Sequence, residues 1–259
     1  MMKVVIIGSG NVATVFAKLL HLQQHKIVQV YSKQLLHAQQ LAEMVDATAI
    51  DDVALINHSA DIYILALADK AIESIASQLK LNNQLVVHTA GSVSINVLQQ
   101  VSNNYGVLYP IQSMRKEMSL STPIPFAVDG SSVTVIEQLT ALAKTLHPNV
   151  VHYNDEQRLK LHVAAIFACN FVNYMYVQSA SFCASENLDF TVLQSLIEET
   201  ANRLQLNHPT EVFTGPAVRG DVNTINKHLE LLQAYPNLQE LYKMLSEQIM
   251  GQFKVEDRR

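Results

Sequence analysis

The sequence predicts an α/β fold in two domains, with a parallel sheet over residues 1–153 and an all-helical domain over residues 154–259. Up to Tyr153, short apolar runs alternate with segments of helical periodicity, which is the rhythm of βαβ units. From Asp155 onward the pattern is helical throughout, and strand-like alternation is gone. The 259 residues are 49% apolar and 16% charged, which suits a globular protein.

The predicted strands are runs of three to six residues rich in Val, Ile, Leu and Tyr. They cover Lys3–Ile7, Lys26–Tyr31, Ile62–Leu67, Leu85–His88, Gly106–Tyr109, Phe126–Val128 and a last run near Val150–Tyr153. Helices with apolar residues at intervals of three and four are expected between them. They lie near Val12–Gln23, Leu35–Met44, Lys70–Gln78, Ser94–Ser102 and Val133–Leu146, with a short helical turn at Asp51–Leu55. We expect Asp69 to cap the helix that begins at Lys70.

Turn-forming residues divide the second domain into about four to six predicted helices. The breaks fall at Ser185–Leu188, His208-Pro209, Thr214-Gly215-Pro216 and Tyr235-Pro236. We expect disorder only in the tail, Lys254–Arg259, because short charged termini without an apolar face are poorly held.

Segment Leu161–Ser185 contains no Asp, Glu, Lys or Arg and is long enough to cross a bilayer. His162, Asn170 and Asn173 argue against that location, because polar groups without partners are unfavourable in lipid. A helix that is apolar on nearly all sides also suits the centre of a helical domain or a dimer interface. We therefore predict a buried helix and no membrane span.

The first thirteen residues carry the most specific motif. The apolar run Lys3–Ile7 leads into Gly8-Ser9-Gly10-Asn11-Val12-Ala13 and then into an amphipathic segment. Strand, glycine turn and helix start are the context of the Rossmann-type dinucleotide fingerprint, whose third glycine is replaced here by Ala13. The alternative is a purely structural turn. We expect the pyrophosphate of a dinucleotide at the helix N-terminus, held by Gly8, Ser9, Gly10, Asn11 and Val12.

The missing carboxylate indicates which dinucleotide is bound. NAD-specific folds of this type place an acidic residue about 20 positions after the glycines. From Asn11 through Ala42 this chain has no Asp or Glu, and its second strand ends at Tyr31-Ser32-Lys33. The alternative for Lys33 is a solvated lysine at a helix start. With the carboxylate also missing, Ser32 and Lys33 are predicted to bind the 2′-phosphate of NADP(H).

Composition excludes several function classes. The net charge is −5 without a basic cluster, so neither nucleic acid nor an anionic membrane is an expected partner. Cys169 and Cys183 lie too far apart along a helical segment to pair, and we expect both to be small core residues in a reducing compartment. No signal peptide is visible, which predicts a cytoplasmic protein. His21 and His25 have metal-ligand spacing but no acidic or thiol neighbours, so no metal site is predicted.

The loops after the strands hold the candidate site residues, because open parallel sheets bind ligands beyond the carboxyl ends of their strands. Leu67, Ala68 and Thr89 are expected to contact the cofactor. His88 and Ser92 lie where the substrate is expected. His88 could donate a proton or polarise a C=O or C=N group. Alternatively, it only hydrogen-bonds backbone at the strand end.

Two further clusters fall in the helical domain. His162 and Asn170 are eight residues apart, so on one helix they point in nearly the same direction. They either satisfy each other in the core or face a site. Thr214–Asp221 is a Gly-Pro turn that displays Arg219 and Asp221. Arg219 could bind a substrate carboxylate bidentately; the alternatives are an ion pair with Asp221 or capping of the next helix.

These motifs together resemble the poorly characterised Rossmann-plus-helical proteins allied to pyrroline-5-carboxylate reductase and the deazaflavin-linked NADP oxidoreductases. The resemblance rests on the N-terminal fingerprint, on His88–Ser92, on His162 through Asn170-Phe171, and on Thr214–Asp221 followed by His228-Leu229. It spans both domains and implies a C-terminal domain like that of 6-phosphogluconate dehydrogenase. It also implies an NADP-dependent reductase that dimerises through its helical domain, with the active site between the domains. The chain departs from its relatives at Tyr109, where they often have His before Pro.

The resulting hypothesis is an NADPH-dependent oxidoreductase that reduces a small C=O or C=N substrate. His88, Ser92 and Asn170 are expected to orient or protonate the substrate beside the hydride donor, with Arg219 as the candidate clamp for a carboxylate. Short-chain dehydrogenase chemistry is excluded because no Tyr-x-x-x-Lys pair occurs. Hydroxyacid dehydrogenase chemistry is excluded because Ile166 stands four residues before Asn170, where that mechanism needs a lysine. One alternative is a dinucleotide-binding sensor or partner-binding dimer without turnover. A second is a pyrroline-5-carboxylate reductase proper, although the Thr214–Asp221 segment differs from that enzyme's substrate loop.

Overall fold

The computed structural model describes residues 1–256 and contains one eight-stranded sheet within that range. Its strands are β1 (Lys3–Ile7), β2 (Lys26–Tyr31), β3 (Thr48–Ile50), β4 (Ile62–Leu65), β5 (Leu85–His88), β6 (Tyr105–Pro110), β7 (Phe126–Gly130) and β8 (Val150–His152). They are ordered β3-β2-β1-β4-β5-β6-β7-β8. All neighbouring pairs are parallel except β6 and β7, which are antiparallel. The predicted α/β class with a Rossmann-type sheet is confirmed.

The α-helices follow the strands in the first part of the chain and stand alone in the second. They are α1 (Asn11–Leu22), α2 (Leu35–Glu43), α3 (Asp69–Ala76), α4 (Val133–Leu146), α5 (Asp155–Ala165), α6 (Val172–Ser185), α7 (Gln194–Arg203), α8 (Val222–Leu231) and α9 (Pro236–Glu256). A π-helical segment, Ile166–Phe171, joins α5 to α6. The predicted disorder of Lys254–Arg259 is wrong for the part of the tail that continues α9 to Glu256, and the last three residues lie outside the described range.

The sheet is buried on both faces. Val4 and Ile6 of β1 pack with Phe16 of α1 on one side, and Val5 and Ile7 belong to the cluster on the other side, which includes residues of α3. A strand covered on both faces is apolar at successive positions rather than alternating, which explains the continuous run in the sequence. The order reverses at β1, whose neighbours β2 and β4 lie on opposite sides of it, and this switch point is where such sheets bind ligands.

Several predicted elements need correction. The three-residue β3 was not predicted, because it is too short to show a period. The predicted helix Ser94–Ser102 is only a 3-10 turn over Ile95–Leu98, and the predicted strand Ile62–Leu67 ends at Leu65. The expected parallel pairing fails at β6–β7, because their connection contains no crossover helix. Asp69 is the first residue of α3 rather than its cap; Ala68 holds the cap position.

The chain forms two compact units, Met1–Phe171 and Val172–Arg259, the second described as far as Glu256. The first unit therefore extends beyond residue 153 to include α5 and the π-helical segment. The α5 helix begins with a capping box, in which Asn154 and Gln157 satisfy each other's backbone N–H groups. Asp155 in its first turn accepts hydrogen bonds from Ser94 and from the Ile95 N–H, which fixes this end of α5 beside the segment after β5.

The segment Leu161–Ser185 is not the buried helix that its composition predicts. Phe167, Phe171 and Tyr174 are 64%, 49% and 52% exposed, and Cys183 is the buried residue of α6. Cys169 is exposed, so the prediction of a core position is wrong for this cysteine. Within the described chain nothing covers this apolar surface, and the dimer-interface alternative stays a prediction. No helix among residues 1–256 has the length and apolarity that a membrane span requires.

Candidate active site

Gly8 ends β1 in a conformation that only glycine adopts readily. Its φ is +126°, and a methyl group in place of its hydrogen would collide with the carbonyl oxygen of Ala66. Its N–H donates to the Tyr31 carbonyl at 2.8 Å. The tight turn expected from the fingerprint is therefore present, and it brings the ends of β1 and β2 together with the segment after β4.

Gly10 leaves the N-terminus of α1 open. A β-carbon at Gly10 would have no described atom within 4 Å, and no described side chain caps the helix. The first N–H groups of an α-helix have no partner within the helix, and together with its dipole they favour an anion. An uncapped N-terminus beneath open space fits the pyrophosphate of a dinucleotide, with Ser9, Asn11 and Val12 beside it.

Ser32 and Lys33 lie at the same corner of the sheet as the glycine turn. Ser9 Oγ donates to Ser32 Oγ at 2.9 Å, and Lys33 is exposed. Two nearby acids that follow β3, Asp51 and Asp52, are missing from the sequence-based candidates. Burial is the main cause of the raised pKa of Tyr31, and the negative charges of Asp52 and Asp51 raise that pKa further. A position directly after a strand would mark both acids as candidate site residues, but β3 is too short to be predicted from the sequence.

His88 is fully buried at the end of β5. Its Nδ1 accepts the Ala90 N–H at 3.2 Å, so neutral His88 carries its proton on Nε2, an atom with no hydrogen-bond partner among the described residues. Burial, assisted by the Arg158 charge, lowers the pKa of His88 to about 4. This geometry is the backbone-bonded alternative that the sequence left open, and His88 is a neutral imidazole at pH 7.

The loop after β5 is tied to the start of α3. Ser92 Oγ donates a short hydrogen bond to the Asp69 carboxylate, and both residues are exposed. Thr89 is buried and its N–H donates to the Leu65 carbonyl at 3.3 Å, while Ala68 is exposed and Leu67 half-buried. The residues predicted after β4 and β5 therefore line one edge of the sheet. Asp69 joins them as a site residue that sequence reasoning took only for a helix cap.

A cavity of about 510 Å³ opens beside this edge, within the first compact unit. Its walls are Tyr109, Ile111, Gln112 and Ser113 from the end of β6 and the residues Leu161, His162, Ala164, Ala165, Ile166, Ala168, Cys169 and Asn170. The His162 and Asn170 pair singled out by its spacing thus faces one cavity. Asn170 lies in the π-helical segment, a rare conformation that is frequent at functional sites.

Tyr109 and His162 are in direct contact at the cavity wall. The Tyr109 hydroxyl lies 3.1 Å from His162 Nδ1, and the two rings meet edge to face. Burial raises the pKa of Tyr109, whereas the nearby Arg158 charge lowers it and Asp69 raises it. A β-carbon at Gly91 would lie 2.9 Å from the His162 ring, so His162 packs directly against the backbone of the loop after β5.

Arg158, which the sequence analysis did not single out, is 1% exposed beneath the site. One of its terminal nitrogens donates to the Val93 carbonyl and to Asp155 Oδ1, the latter at 2.7 Å. Burial alone would raise the pKa of Asp155, but hydrogen bonds from Ser94, Arg158 and Ile95 outweigh burial and lower that pKa. Arg158 thus pins α5 to the segment that follows β5. No local sequence signal marks it.

Arg219 lies in the second unit and is exposed. It forms no ion pair within 4 Å in the described part of the chain. Asp221 caps α8 by accepting from the Thr224 N–H at 3.1 Å, so capping by Asp221 accounts for part of this motif. Among residues 1–256 no cluster of three His, Cys, Asp or Glu side chains could hold a metal ion.

Comparison with known proteins adds family information to this geometry. Residues 3–91 match the family model described as NADP oxidoreductase, coenzyme F420-dependent, and residues 124–249 match a domain of unknown function, DUF2520. No curated protein matches the chain.

Solved structures resemble the chain over nearly its whole length. A Bacteroides fragilis protein provisionally named an NADP oxidoreductase is 40% identical, with a TM-score of 0.88 over 96% of this chain and 98% of its own. A pyrroline-5-carboxylate reductase from Streptococcus pyogenes is 15% identical, with a TM-score of 0.65 over 96% and 98% of the two chains. An imine reductase from Myxococcus stipitatus, solved with NADP+, is 13% identical, with a TM-score of 0.62 over 99% and 94%. The last two similarities concern the fold alone.

Proposed function

Because the chain belongs to the NADP oxidoreductase family that includes the Bacteroides fragilis protein, we propose that it is a reductase that uses NADPH to reduce a small C=O or C=N substrate. The observation that supports this most directly is the cavity beside the carboxyl edge of the sheet. It belongs to the same compact unit as the glycine turn, at the edge where such sheets bind ligands.

The cofactor residues follow from the turn and the strand ends. Gly8, Ser9, Gly10, Asn11 and Val12 would hold the pyrophosphate on the α1 N-terminus. Ser32 and Lys33 would bind the 2′-phosphate, and Leu67, Ala68 and Thr89 would lie along the nicotinamide half. When bound, NADPH supplies the hydride that reduces the substrate carbon. The protein then has to position the substrate and provide a proton.

The substrate residues come from three places. Ser92 and Asn170 are hydrogen-bonding groups of neutral charge, suited to orienting a carbonyl or imine. His88, neutral and buried, would support the loop that carries Ser92. Arg219 would serve as the clamp for a substrate carboxylate only in the pyrroline-5-carboxylate reductase alternative; its guanidinium is exposed.

The cavity walls favour an uncharged substrate. None of the residues that the described structure places around it is Asp, Glu, Lys or Arg, and about half are Ala, Ile or Leu. An anionic substrate inside these walls would lose hydration without gaining a counter-charge from them. A pyrroline-5-carboxylate reductase proper would need a cation beside the substrate carboxylate. Among the candidate site residues, only Arg219 provides one.

Exposed apolar side chains in the π-helical segment of the first unit, and separately in α6 of the second unit, support the homodimer that the family resemblance implies. Large exposed apolar patches mark interaction sites in soluble proteins. Both cysteines are free, which fits a reducing compartment such as the cytoplasm.

The proposal is tested by NADPH oxidation with a panel that contains a methyl-pyrroline, a carboxylated pyrroline, and small aldehydes and ketones. Turnover with neutral imines or carbonyls supports the proposed function. Turnover of the carboxylated pyrroline alone supports the pyrroline-5-carboxylate reductase alternative. Tight NADPH binding without turnover of any compound supports the sensor alternative.

A further inference from the structure

We infer that Tyr109 is the acid that protonates the reduced substrate, and that His162 returns a proton to Tyr109 after each turnover. This inference rests on the proposed function and deepens it. It assigns a catalytic role to the position where the chain departs from its relatives, and it gives that role to a pair of residues rather than to His88.

The geometry of the pair supports a proton relay. The 3.1 Å between Tyr109 Oη and His162 Nδ1 is hydrogen-bond distance, and both side chains line the cavity. The pair is held from two sides. Tyr109 packs with Val107 and Ala127 in the sheet, and the His162 ring lies against Gly91, where a side chain would not fit. Such positioning is what proton transfer in a transition state requires.

His88 is poorly suited to the same task. It is fully buried, it does not line the cavity, and its pKa of about 4 leaves it neutral at pH 7. A neutral imidazole would have to become an anion to give up its remaining proton, which is strongly unfavourable in a buried site. Tyr109 gives up a phenolic proton instead. Burial raises the pKa of Tyr109 and so keeps its hydroxyl protonated until the substrate accepts the proton, while the nearby Arg158 cation lowers that pKa and Asp69 raises it by a smaller effect.

The proton and electron balance is closed. Hydride arrives at the electrophilic carbon, and the π electrons of the C=O or C=N bond move to the heteroatom. The O–H bond of Tyr109 breaks as a bond from its proton to that heteroatom forms. A proton from water binds Nε2 of the half-exposed His162 ring as Nδ1 gives its proton to the phenolate oxygen, so the ring never becomes an anion, and exchange with water then restores the starting tautomer. Oxidation of NADPH to NADP+ balances the reduction, and one proton is taken from solvent.

The test compares Tyr109→Phe with Tyr153→Phe, using single-turnover reduction of the methyl-pyrroline by the NADPH complex. Tyr153 packs on the same small cluster as Tyr109 but does not line the cavity, so it is the matched control. We expect Tyr109→Phe to slow the reduction by about a hundredfold or more, with NADPH affinity unchanged. Tyr153→Phe should match the wild type.

His162→Gln separates the relay from simple packing. It should leave single-turnover reduction close to the wild type, because Tyr109 still holds its first proton, but it should slow steady-state turnover. A readout independent of activity is the nitrogen NMR spectrum of the His162 ring. Loss of the Tyr109 hydroxyl in Tyr109→Phe should change its Nδ1 resonance, whereas Tyr153→Phe should not.

Each outcome decides the matter. If Tyr109→Phe binds NADPH and reduces the pyrroline as fast as the wild type, the inference is overturned and the proposed function stands. An equal loss of single-turnover and steady-state rates in His162→Gln overturns the relay. If the wild type oxidises NADPH with no compound of the panel, the proposed function fails, and the inference fails with it.

Discussion

Gly8 and Gly10 stand two residues apart in one turn, yet the structure gives them different tasks. Gly8 has a positive φ and touches the Ala66 backbone, so its role is conformational. Gly10 has an ordinary φ of −77° and faces open space, so its role concerns what enters that space. The fingerprint requires glycine at both positions, but the physical reason for the glycine differs between them.

The two glycines can be separated by alanine substitution. Gly8→Ala should lower the free energy of unfolding by roughly 1–3 kcal/mol, because a side chain at positive φ is strained and this one also meets a carbonyl. Gly10→Ala should change that free energy by less than about 0.5 kcal/mol but weaken NADPH binding, because its methyl occupies the space above α1. Denaturant unfolding and NADPH titration measure both effects. Equal NADPH affinity in Gly10→Ala and wild type would contradict the role given to Gly10.

His88 makes stability depend on pH. Its pKa falls from 6.5 to about 4 on folding, so between these values the unfolded chain binds more protons than the folded one. The contribution of His88 to the free energy of unfolding is therefore fully present above pH 6.5 and is lost as the pH falls toward 4. The slope is about 1.4 kcal/mol per pH unit for one proton, or about 2 kcal/mol by pH 5.

This pH dependence is measured by urea unfolding at about pH 7 and about pH 5. In His88→Asn the difference between the two pH values should shrink by the His88 contribution, whatever the variant's absolute stability. His37→Asn, which changes an exposed histidine, is the control. An unchanged pH difference in His88→Asn would show that His88 does not titrate as described.

At the scale of elements, the N-terminus of α5 decides where the cavity wall lies. Asp155 connects Ser94, Ile95 and the buried Arg158, so one carboxylate joins α5 to the segment after β5. The neighbouring acid, Glu156, is exposed and pairs with Lys160 on the same helix. The two adjacent acids therefore have very different surroundings.

Asp155→Ala should lower the free energy of unfolding by about 2–3 kcal/mol, because it leaves the buried Arg158 cation without its partner. Glu156→Ala, the matched control, should have little effect, since exposed pairs contribute little. Thermal or denaturant unfolding compares them. A loss in Asp155→Ala no greater than that in Glu156→Ala would mean that the Asp155–Arg158 pair does not hold α5.

Elements whose cause is local could be predicted from sequence, and those whose cause is distant could not. The β1–turn–α1 unit follows from adjacent residues, so its bounds and its glycines were predicted closely. The antiparallel pairing of β6 and β7 depends on the path of the long loop between them, and no local sequence pattern indicates that path. Tyr109 and His162 are 53 positions apart, and neither position alone signals the contact. Asp69 is predicted only as a helix cap, because its hydrogen-bond partner Ser92 lies on another loop and gives no local signal.

At the scale of the whole molecule, the exposed apolar segment predicts a dimer. Sedimentation should give the mass of two chains, and Phe167→Glu should shift the protein toward one chain, because Phe167 is 64% exposed on that surface. Leu206→Glu is the control, since Leu206 is 90% exposed outside this segment. If the wild type sediments as one chain at all concentrations, a second copy of the chain does not cover the apolar surface, and the predicted dimer is wrong.

We propose that this protein transfers hydride and does not only bind the dinucleotide. The most direct measurement follows NADPH deuterated at the transferable position of its nicotinamide, with mass spectrometry of the reduced methyl-pyrroline or carbonyl product. We predict one deuterium on the former C=N or C=O carbon and equal consumption of NADPH. Tight NADPH binding with no deuterium transferred to any compound of the panel would contradict hydride transfer and identify a dinucleotide-binding sensor.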